Sequence, residues 1–155
     1  MNWFRKLLIL LILVGQASYA STDWTLDASA VNNGATPDMW SLNFVLRNGS
    51  DKSAKTFASN LPWGIRSQLV LTAITLQEGS ANFKAANYID DPNFDPIEIT
   101  PTQVMKGSVK LSERFPDLST YKGKEPIAIC YLYEFGQIVA GKPEVATGCV
   151  VFKRD

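Results

Sequence analysis

The sequence contains no histidine and only two cysteines. Histidine is the side chain that exchanges a proton near neutral pH, so mechanisms of the Ser-His-Asp and Cys-His types are excluded. The commonest protein ligand of zinc and copper is missing for the same reason. We therefore expect a protein that is not an enzyme and that needs no cofactor.

Long hydrophobic runs are missing after the first residues. The run from Leu7 to Val14 follows two basic residues, and small side chains precede a cleavage point after Ala20, which is the pattern of a signal peptide. A transmembrane helix needs about 20 consecutive apolar residues, and no later stretch approaches that length. We expect residues 1–20 to be a signal peptide, and the mature protein to be periplasmic or extracellular without a membrane anchor.

Neither sign of charge is in excess. The 15 basic and 15 acidic residues balance, and removal of Arg5 and Lys6 with the leader leaves 13 basic residues against 15 acidic ones. Domains that bind nucleic acid usually carry a basic patch, whereas these lysines are dispersed among acids. Removing 20 of 155 residues leaves 135, so we expect one domain over residues 21–155 and no nucleic-acid partner.

Helical periodicity is also scarce. Short runs of alternating apolar and polar residues are separated by turn formers, as in residues 24–28 and 40–47. Residues 68–76, QLVLTAITL, are apolar on both faces, which is typical of a central strand that is covered on two sides. Further strand-like runs lie at 96–100, 104–111, 126–135 and 147–153. The pattern predicts an immunoglobulin-like antiparallel β-sandwich of seven to eight strands, with a small up-and-down β-barrel as the alternative.

The two cysteines, Cys130 and Cys149, lie in two of these predicted strands. Export to an oxidising compartment favours a disulfide between them. Such a bond would close a loop of roughly 20 residues and contribute about 3 kcal/mol on entropic grounds. The alternative is a reactive or metal-binding thiol pair, which usually has the closer spacing of a Cys-x-x-Cys motif.

Residues 42–57, LNFVLRNGSDKSAKTF, resemble the early hairpin of small immunoglobulin-like bacterial domains of the BsuPI-type proteinase-inhibitor class. The resemblance covers sixteen residues and implies a non-enzymatic domain that presents loops to another protein. Where that class would have a Pro-Gly pair before a later strand, this chain has Pro101-Thr102-Gln103. Within the similar stretch, Asn48-Gly49-Ser50 fits both an N-glycosylation motif and a hairpin turn.

Two segments are candidates for binding a partner. Residues 61–64, LPWG, predict a type I turn, which leaves Trp63 either as a plug over the sheet edge or as an exposed hot spot beside Arg66. The connection from residue 135 to 146 is longer than most hairpin loops. It carries Ile138 and Val139 where polar residues are usual, which indicates an exposed partner site unless the strands continue and bury both side chains.

Residues 88–98, YIDDPNFDPIE, gather several acidic side chains on a segment that two prolines interrupt. Oxygen ligands clustered on a turn suit calcium, so Asp90, Asp91 and Asp95 are candidate ligands. The alternative is an ordinary solvated turn, since Asp, Asn and Pro are the usual turn residues.

The leading functional hypothesis is an exported, non-enzymatic sandwich that binds another macromolecule, as an inhibitor or an accessory subunit. A calcium- or glycan-binding module centred on the acidic segment is one alternative. A fimbrial or other structural subunit is another, but such subunits usually take a missing strand from a neighbour. The apolar run GCVVFK, residues 148–153, indicates that this chain supplies its own last strand.

Overall fold

The structure, a computed structural model, describes residues 23–32, 36–64, 69–77, 82–86, 95–138 and 144–153. These residues contain nine strands: β1 (Trp24–Asn32), β2 (Trp40–Asn48), β3 (Ala54–Phe57), β4 (Leu69–Thr75), β5 (Asn82–Phe83), β6 (Pro96–Ile99), β7 (Val104–Lys110), β8 (Ile127–Glu134) and β9 (Val145–Phe152). One short α-helix, α1 (Leu111–Arg114), follows β7. Single 3-10 turns lie at Pro37–Met39, Ala58–Asn60, Pro116–Leu118 and Phe135–Gln137.

The strands form two main antiparallel sheets and a small ribbon. The first sheet has the order β1-β2-β7, the second has the order β5-β4-β8-β9, and β3 pairs with β6. An immunoglobulin sandwich places its first, second, fourth and fifth strands in one sheet and its third, sixth and seventh in the other. The orders β1-β2-β7 and β4-β8-β9 match this arrangement except for the fourth strand, which the three-stranded sheet lacks; β3 and β6 form the separate ribbon, and β5 is an added edge strand. The predicted all-β antiparallel sandwich is therefore confirmed, with nine strands among the described residues where seven to eight were predicted.

The core lies between the two sheets. Alternate residues of β2 point inward, and each is at most 1% exposed: Trp40, Leu42, Phe44 and Leu46. Trp40 stacks on Phe152 of β9 with ring centroids 5.0 Å apart, and Phe44 meets Tyr131 of β8 edge to face at 5.5 Å. The Tyr131 hydroxyl also donates to the Leu26 carbonyl oxygen at 3.2 Å. These contacts lock one sheet onto the other, and each large buried side chain contributes about 1.5–3 kcal/mol.

Strand β4 lies in mid-sheet between β5 and β8, as its composition predicts. Its inward residues Leu69, Leu71 and Ala73 are at most 8% exposed. On the opposite face Val70 is 59% exposed, and Leu76, just after the strand, is 52% exposed. The expectation that both faces of this strand are covered is therefore wrong for the outer face.

The last strand belongs to the chain itself. Strand β9 pairs with β8 over its whole length, from Val145 opposite Glu134 to Phe152 opposite Ile127. Phe152 is 1% exposed and enters the core. The sheet therefore does not need a strand donated by a neighbour at this position, which counts against the arrangement typical of fimbrial subunits.

Candidate functional site

The outer face of the second sheet is built from three consecutive rows of side chains on β4, β8 and β9. We call the nine positions the disulfide face, and the strand registers define its rows: Val70, Leu132 and Thr147; Thr72, Cys130 and Cys149; Ile74, Ala128 and Val151. Successive residues of a strand point to opposite faces, so these nine lie opposite the buried residues of the same strands. None of the nine side chains is charged.

Apolar side chains are exposed on this face. Val70 is 59% and Val151 44% exposed, with Leu76 at 52% beside the face. At strand spacings of ~4.8 Å and two-residue repeats of ~6.7 Å, the nine positions cover roughly 300 Å². Val70 and Val151 lie at opposite corners of this block, and Ala128 within it is only 6% exposed. An uncharged surface of this size is comparable to the largest patch of an ordinary monomer, which is often a functional one.

The outer face of the first sheet has the opposite character. Its outward positions on β1, β2 and β7 are largely polar or charged: Asp27, Ser29, Asn43, Arg47, Lys106, Ser108 and Lys110. The Arg47 guanidinium lies 3.5 Å from the Asp27 carboxylate in an exposed ion pair. The two sides of the sandwich therefore differ, and the disulfide face is the apolar one.

The disulfide joins Cys130 to Cys149, as predicted, across the middle row of the face. The two residues are directly opposite in the β8–β9 register, with Cα atoms 4.0 Å apart. Because β9 ends this sheet in the strand order, the bond holds an edge strand in register. A slip by one residue would turn Val151 inward and Phe152 outward, so the disulfide preserves the composition of both faces.

Charges flank the disulfide face. Glu134 ends β8, and Lys153 follows β9 at the other end of the antiparallel pair, where Ile127 is opposite Phe152. Lys84 follows β5 beyond the edge of the three-strand block. All three residues are exposed. The face is therefore a neutral strip with an acidic residue at one end and a basic residue at the other.

Trp63 lies against the inner face of the first sheet, since Gly107, which its ring covers, is opposite the buried Phe44 in the β2–β7 register. Its indole is half-buried and packs against the core. The ring occupies the space above Gly107 of β7: a Cβ atom on that glycine would lie 2.0 Å from Trp63 Cδ2. Of the two alternatives for Trp63, this geometry is the one in which the side chain packs against the sheet. We therefore do not include Trp63 in the proposed partner-binding surface. Arg66, predicted beside it, lies outside the described residues.

Ile138 is not available to a partner. Strand β8 ends at Glu134, a 3-10 turn follows, and the Ile138 side chain is only 4% exposed within the core cluster. Of the two alternatives for Ile138, exposure to a partner or burial, the structure has burial. The chain buries it by a tight turn, with the Ile138 amide donating to the Phe135 carbonyl oxygen at 2.8 Å, and not by continuing the strands. Val139 lies outside the described residues.

The acidic segment is described only at its end. Asp95 is exposed, and its carbonyl oxygen accepts a hydrogen bond from the Ala58 amide at 3.1 Å. Asp90 and Asp91 lie outside the described residues. Among the residues that the structure describes, no group of three potential metal ligands occurs, and the calcium hypothesis stays a prediction.

Asn48 decides between the two interpretations of Asn48-Gly49-Ser50. Its side chain is 1% exposed, and its amide nitrogen donates to the carbonyl oxygens of Lys52, Ile99 and Thr100 at 2.8–3.2 Å. Its Oδ1 accepts from the Ser50 amide and hydroxyl. Because this side-chain amide is buried and hydrogen-bonded, it is not accessible for N-glycosylation. The motif is a structural turn that ties the end of β2 to the end of β6.

The disulfide face itself was not predicted as a site. Its signal was present in QLVLTAITL, because a strand that is apolar on both faces needs a cover on both. We expected other parts of the same domain to cover both faces of this strand. The apolar Val151, which lies two residues after Cys149 and so on the same face of the strand, was the second indication.

The fold and the face together define an immunoglobulin-like β-sandwich with one apolar outer sheet face. In sequence, the chain matches no protein-family model and is significantly similar to no curated protein. No helix among the described residues is long and apolar enough to cross a membrane.

Proposed function

We propose that this chain is an exported, non-enzymatic binding domain and that its partner, a protein, docks on the disulfide face. The observation that carries the proposal is the uncharged sheet face around Cys130–Cys149, at whose opposite corners Val70 and Val151 are 59% and 44% exposed. A partner that covered this surface would stabilise the complex by about 25 cal/mol for each Å² of apolar area removed from water.

The shape of the surface favours a macromolecule over a small ligand. Small-molecule sites are usually concave and enclose most of the ligand, whereas three paired strands present a broad sheet surface. Protein interfaces have an apolar, uncharged centre surrounded by a polar rim. The disulfide face has this composition, with Glu134 and Lys153 at its ends.

Export and the absence of catalysis are parts of the same proposal. The leader-like residues 1–20 and the Cys130–Cys149 bond both suit an oxidising compartment. A chain without histidine has no side chain of ordinary pKa near neutrality to act as a general base. An inhibitor or accessory subunit needs only a stable surface, which this sandwich supplies.

The test is a pull-down with the tagged mature protein from the envelope and culture medium of the source organism. Val70→Asp and Val151→Asp each place a charge in the disulfide face, and Val104→Asp is the matched control. Val104 is a valine of similar exposure, 49%, on the outer face of the first sheet. We expect the parent and Val104→Asp to retain the partner, and both disulfide-face variants to lose it.

Folding of each variant is checked by circular dichroism and urea unfolding, where exposed positions should change stability by no more than about 1 kcal/mol. Retention of the partner by both folded disulfide-face variants would refute the proposed site. Loss of the partner with Val104→Asp alone would move the site to the first sheet.

A further inference from the structure

We propose that the Cys130–Cys149 bond is a reversible thiol–disulfide exchange site, which a dithiol reduces in the folded protein by attack of its thiolate on Cys149. Three features of the structure support this inference: the bond is accessible, the fold does not depend on it, and the two sulfurs stay close together when it breaks. The inference concerns the chemistry of the bond and is independent of the partner proposed for the disulfide face.

The bond is accessible because it lies on an outer face and at the edge of its sheet. Cys149 is exposed and Cys130 is half-buried, and Thr72, the neighbour of Cys130 on β4, is exposed as well. A thiolate displaces sulfur along the line of the S–S bond, so an attacker of Cys149 approaches from the side away from Cys130. On that side no described strand pairs with β9, which is the last strand in the order of the sheet. Exposed disulfides are the ones that exchange readily.

The fold does not depend on this bond. Among the described residues, the core is made by side chains on the opposite face of these strands, such as Ile129, Tyr131 and Phe152, and it includes neither cysteine. Strand β9 is also held by its pairing with β8 from end to end. A disulfide that closes a loop of this length contributes less than the whole stability of a typical domain, so the reduced protein stays folded.

Reduction leaves the two thiols opposite each other. Cys130 and Cys149 are direct partners in the β8–β9 register, with Cα atoms 4.0 Å apart, and the paired strands keep them there without the bond. Re-oxidation is therefore intramolecular, with a high effective concentration of one thiol at the other. The fold supplies the closeness that a Cys-x-x-Cys motif has along the chain and that a separation of 19 residues lacks.

The same closeness selects a dithiol as the reductant. A monothiol that attacks Cys149 produces a mixed disulfide directly beside the Cys130 thiolate, which expels the monothiol and restores the original bond. A dithiol carries a second thiol that attacks the mixed disulfide from the other side, and this attack is intramolecular too. Only the dithiol can therefore compete with Cys130 and complete the reduction.

The exchange balances without another reactant. In the first step the thiolate of the dithiol bonds to Cys149 Sγ, the Cys130–Cys149 bond breaks, and Cys130 leaves as a thiolate that takes up a proton. In the second step the other sulfur of the dithiol bonds to the first one, and Cys149 leaves as a thiolate that is protonated in turn. The dithiol loses two electrons and two protons, and the two cysteines gain them.

The test is the rate at which the mature full-length protein is reduced by three reagents: dithiothreitol, a thioredoxin-type dithiol protein and the monothiol glutathione. Samples are quenched with acid, alkylated with N-ethylmaleimide and analysed by mass spectrometry, in which reduction adds two labels. We expect rates proportional to the concentration of the dithiol. Glutathione at equal thiol concentration should give less than about a tenth as much doubly labelled protein.

The concentration dependence shows which state of the protein reacts. A rate that levels off at the rate of global unfolding, or that rises with urea as unfolding does, would overturn the inference, because only unfolded molecules would then react. Reduction by dithiothreitol alone would assign the site to small dithiols, and reduction by the dithiol protein as well would assign it to an oxidoreductase. Equal reduction by glutathione would contradict the selection of a dithiol.

A charge at position 72 gives a second test of attack on the folded protein. Thr72 is opposite Cys130 in the β4–β8 register but distant from both cysteines in sequence, so a charge there acts on the attacking thiolate only when the protein is folded. Thr72→Lys should speed the reaction with dithiothreitol about threefold, and Thr72→Glu should slow it about threefold.

The matched control for these variants is the same pair of substitutions at Ser108, which is exposed on the outer face of the first sheet. Ser108→Lys and Ser108→Glu should change the rate less than about 1.5-fold, because the charge is screened over that distance. Rates that do not respond to the charge at position 72, or that respond equally to the charge at position 108, would refute attack on the folded protein.

The reduced protein tests whether the fold is independent of the bond. We expect it to keep its circular dichroism spectrum and to unfold cooperatively, with a Tm lower by roughly 10 °C. Oxidised glutathione should restore the disulfide and block labelling. The variant Cys130→Ser/Cys149→Ser should have the Tm of the reduced protein and take up no label. A reduced protein that is unfolded, or that cannot be re-oxidised, would disprove a reversible site, and neither result would bear on the proposed partner.

Discussion

The indole of Trp63 occupies the space that a side chain on residue 107 would need. A Cβ atom at Gly107 would lie 2.0 Å from Trp63 Cδ2 and 2.3 Å from Cγ. Gly107 is in the middle of β7, opposite Phe44 of β2. Residue 107 of β7 has no side chain, and the indole of Trp63 fills the space above it. The LPWG turn therefore has a structural role.

Gly107→Ala should therefore destabilise the fold by about 2 kcal/mol, because overpacking of a close contact typically costs 1–3 kcal/mol. Urea unfolding measures this change. Gly136→Ala is the matched control, since a Cβ there has no atom within 4 Å, and it should shift stability by less than about 0.5 kcal/mol. In a double-mutant cycle, Gly107→Ala should cost much less when Trp63→Ala is already present. Additive effects would show that the two residues do not interact.

Asn48→Ala should be strongly destabilising, by about 3 kcal/mol or more, since it leaves carbonyl oxygens of Ile99 and Thr100 without their shared donor. The same substitution at the exposed Asn43 of β2 serves as the control and should change stability little. Thermal unfolding of the two variants compares them directly. Equal effects would mean that the buried amide does not hold β2 to β6.

The hydroxyl of Tyr133 should make stability fall at alkaline pH. Burial raises the pKa of Tyr133 well above its ordinary value of 10.0, and its hydroxyl donates to the Asn60 carbonyl oxygen at 2.7 Å. Below about pH 10 the tyrosine is neutral in both states and the contribution is complete. Above that pH the unfolded state loses the proton first, so the free energy of unfolding decreases as pH rises.

Tyr133→Phe should flatten this decrease between about pH 10 and 11.5, while costing about 1 kcal/mol at neutral pH through the lost hydrogen bond. Urea unfolding at several pH values provides the comparison with the parent. Tyr131, whose pKa is raised by burial and then by Asp27, keeps a smaller alkaline slope in the variant. An unchanged slope would indicate that Tyr133 ionises equally in both states.

Thr102→Gly should stabilise the protein. Thr102 has a φ of 63° between β6 and β7, in a turn that the Gln103 amide closes by donating to the Thr100 carbonyl oxygen at 3.1 Å. A β-branched residue is disfavoured there by about 1–2 kcal/mol, and the greater freedom of unfolded glycine offsets part of the gain. We expect a net increase of up to about 1 kcal/mol in thermal unfolding. Thr102→Ala retains its Cβ and should gain less, so an equal gain would argue against backbone strain.

Particular residues show how far sequence reasoning reached. The alternation in β2 and the pairing of Cys130 with Cys149 were predictable because both follow from local rules. The burial of Ile138 and the position of Trp63 were not, because each depends on a surface supplied by a distant part of the chain. Thr102 shows an intermediate case: the class that residues 42–57 resemble would have glycine after the proline, this chain has Thr102, and its φ is 63°.

The sequence by itself determined that the chain forms strands, that it has no histidine chemistry and that its two cysteines can pair, since alternation and composition act along the chain without reference to partners. Only the tertiary structure decided which apolar residues face the core. Val70 and Leu71 are adjacent and chemically alike, yet one is 59% and the other 7% exposed. A strand has two faces, and the packing of the second sheet on the first buries only one of them.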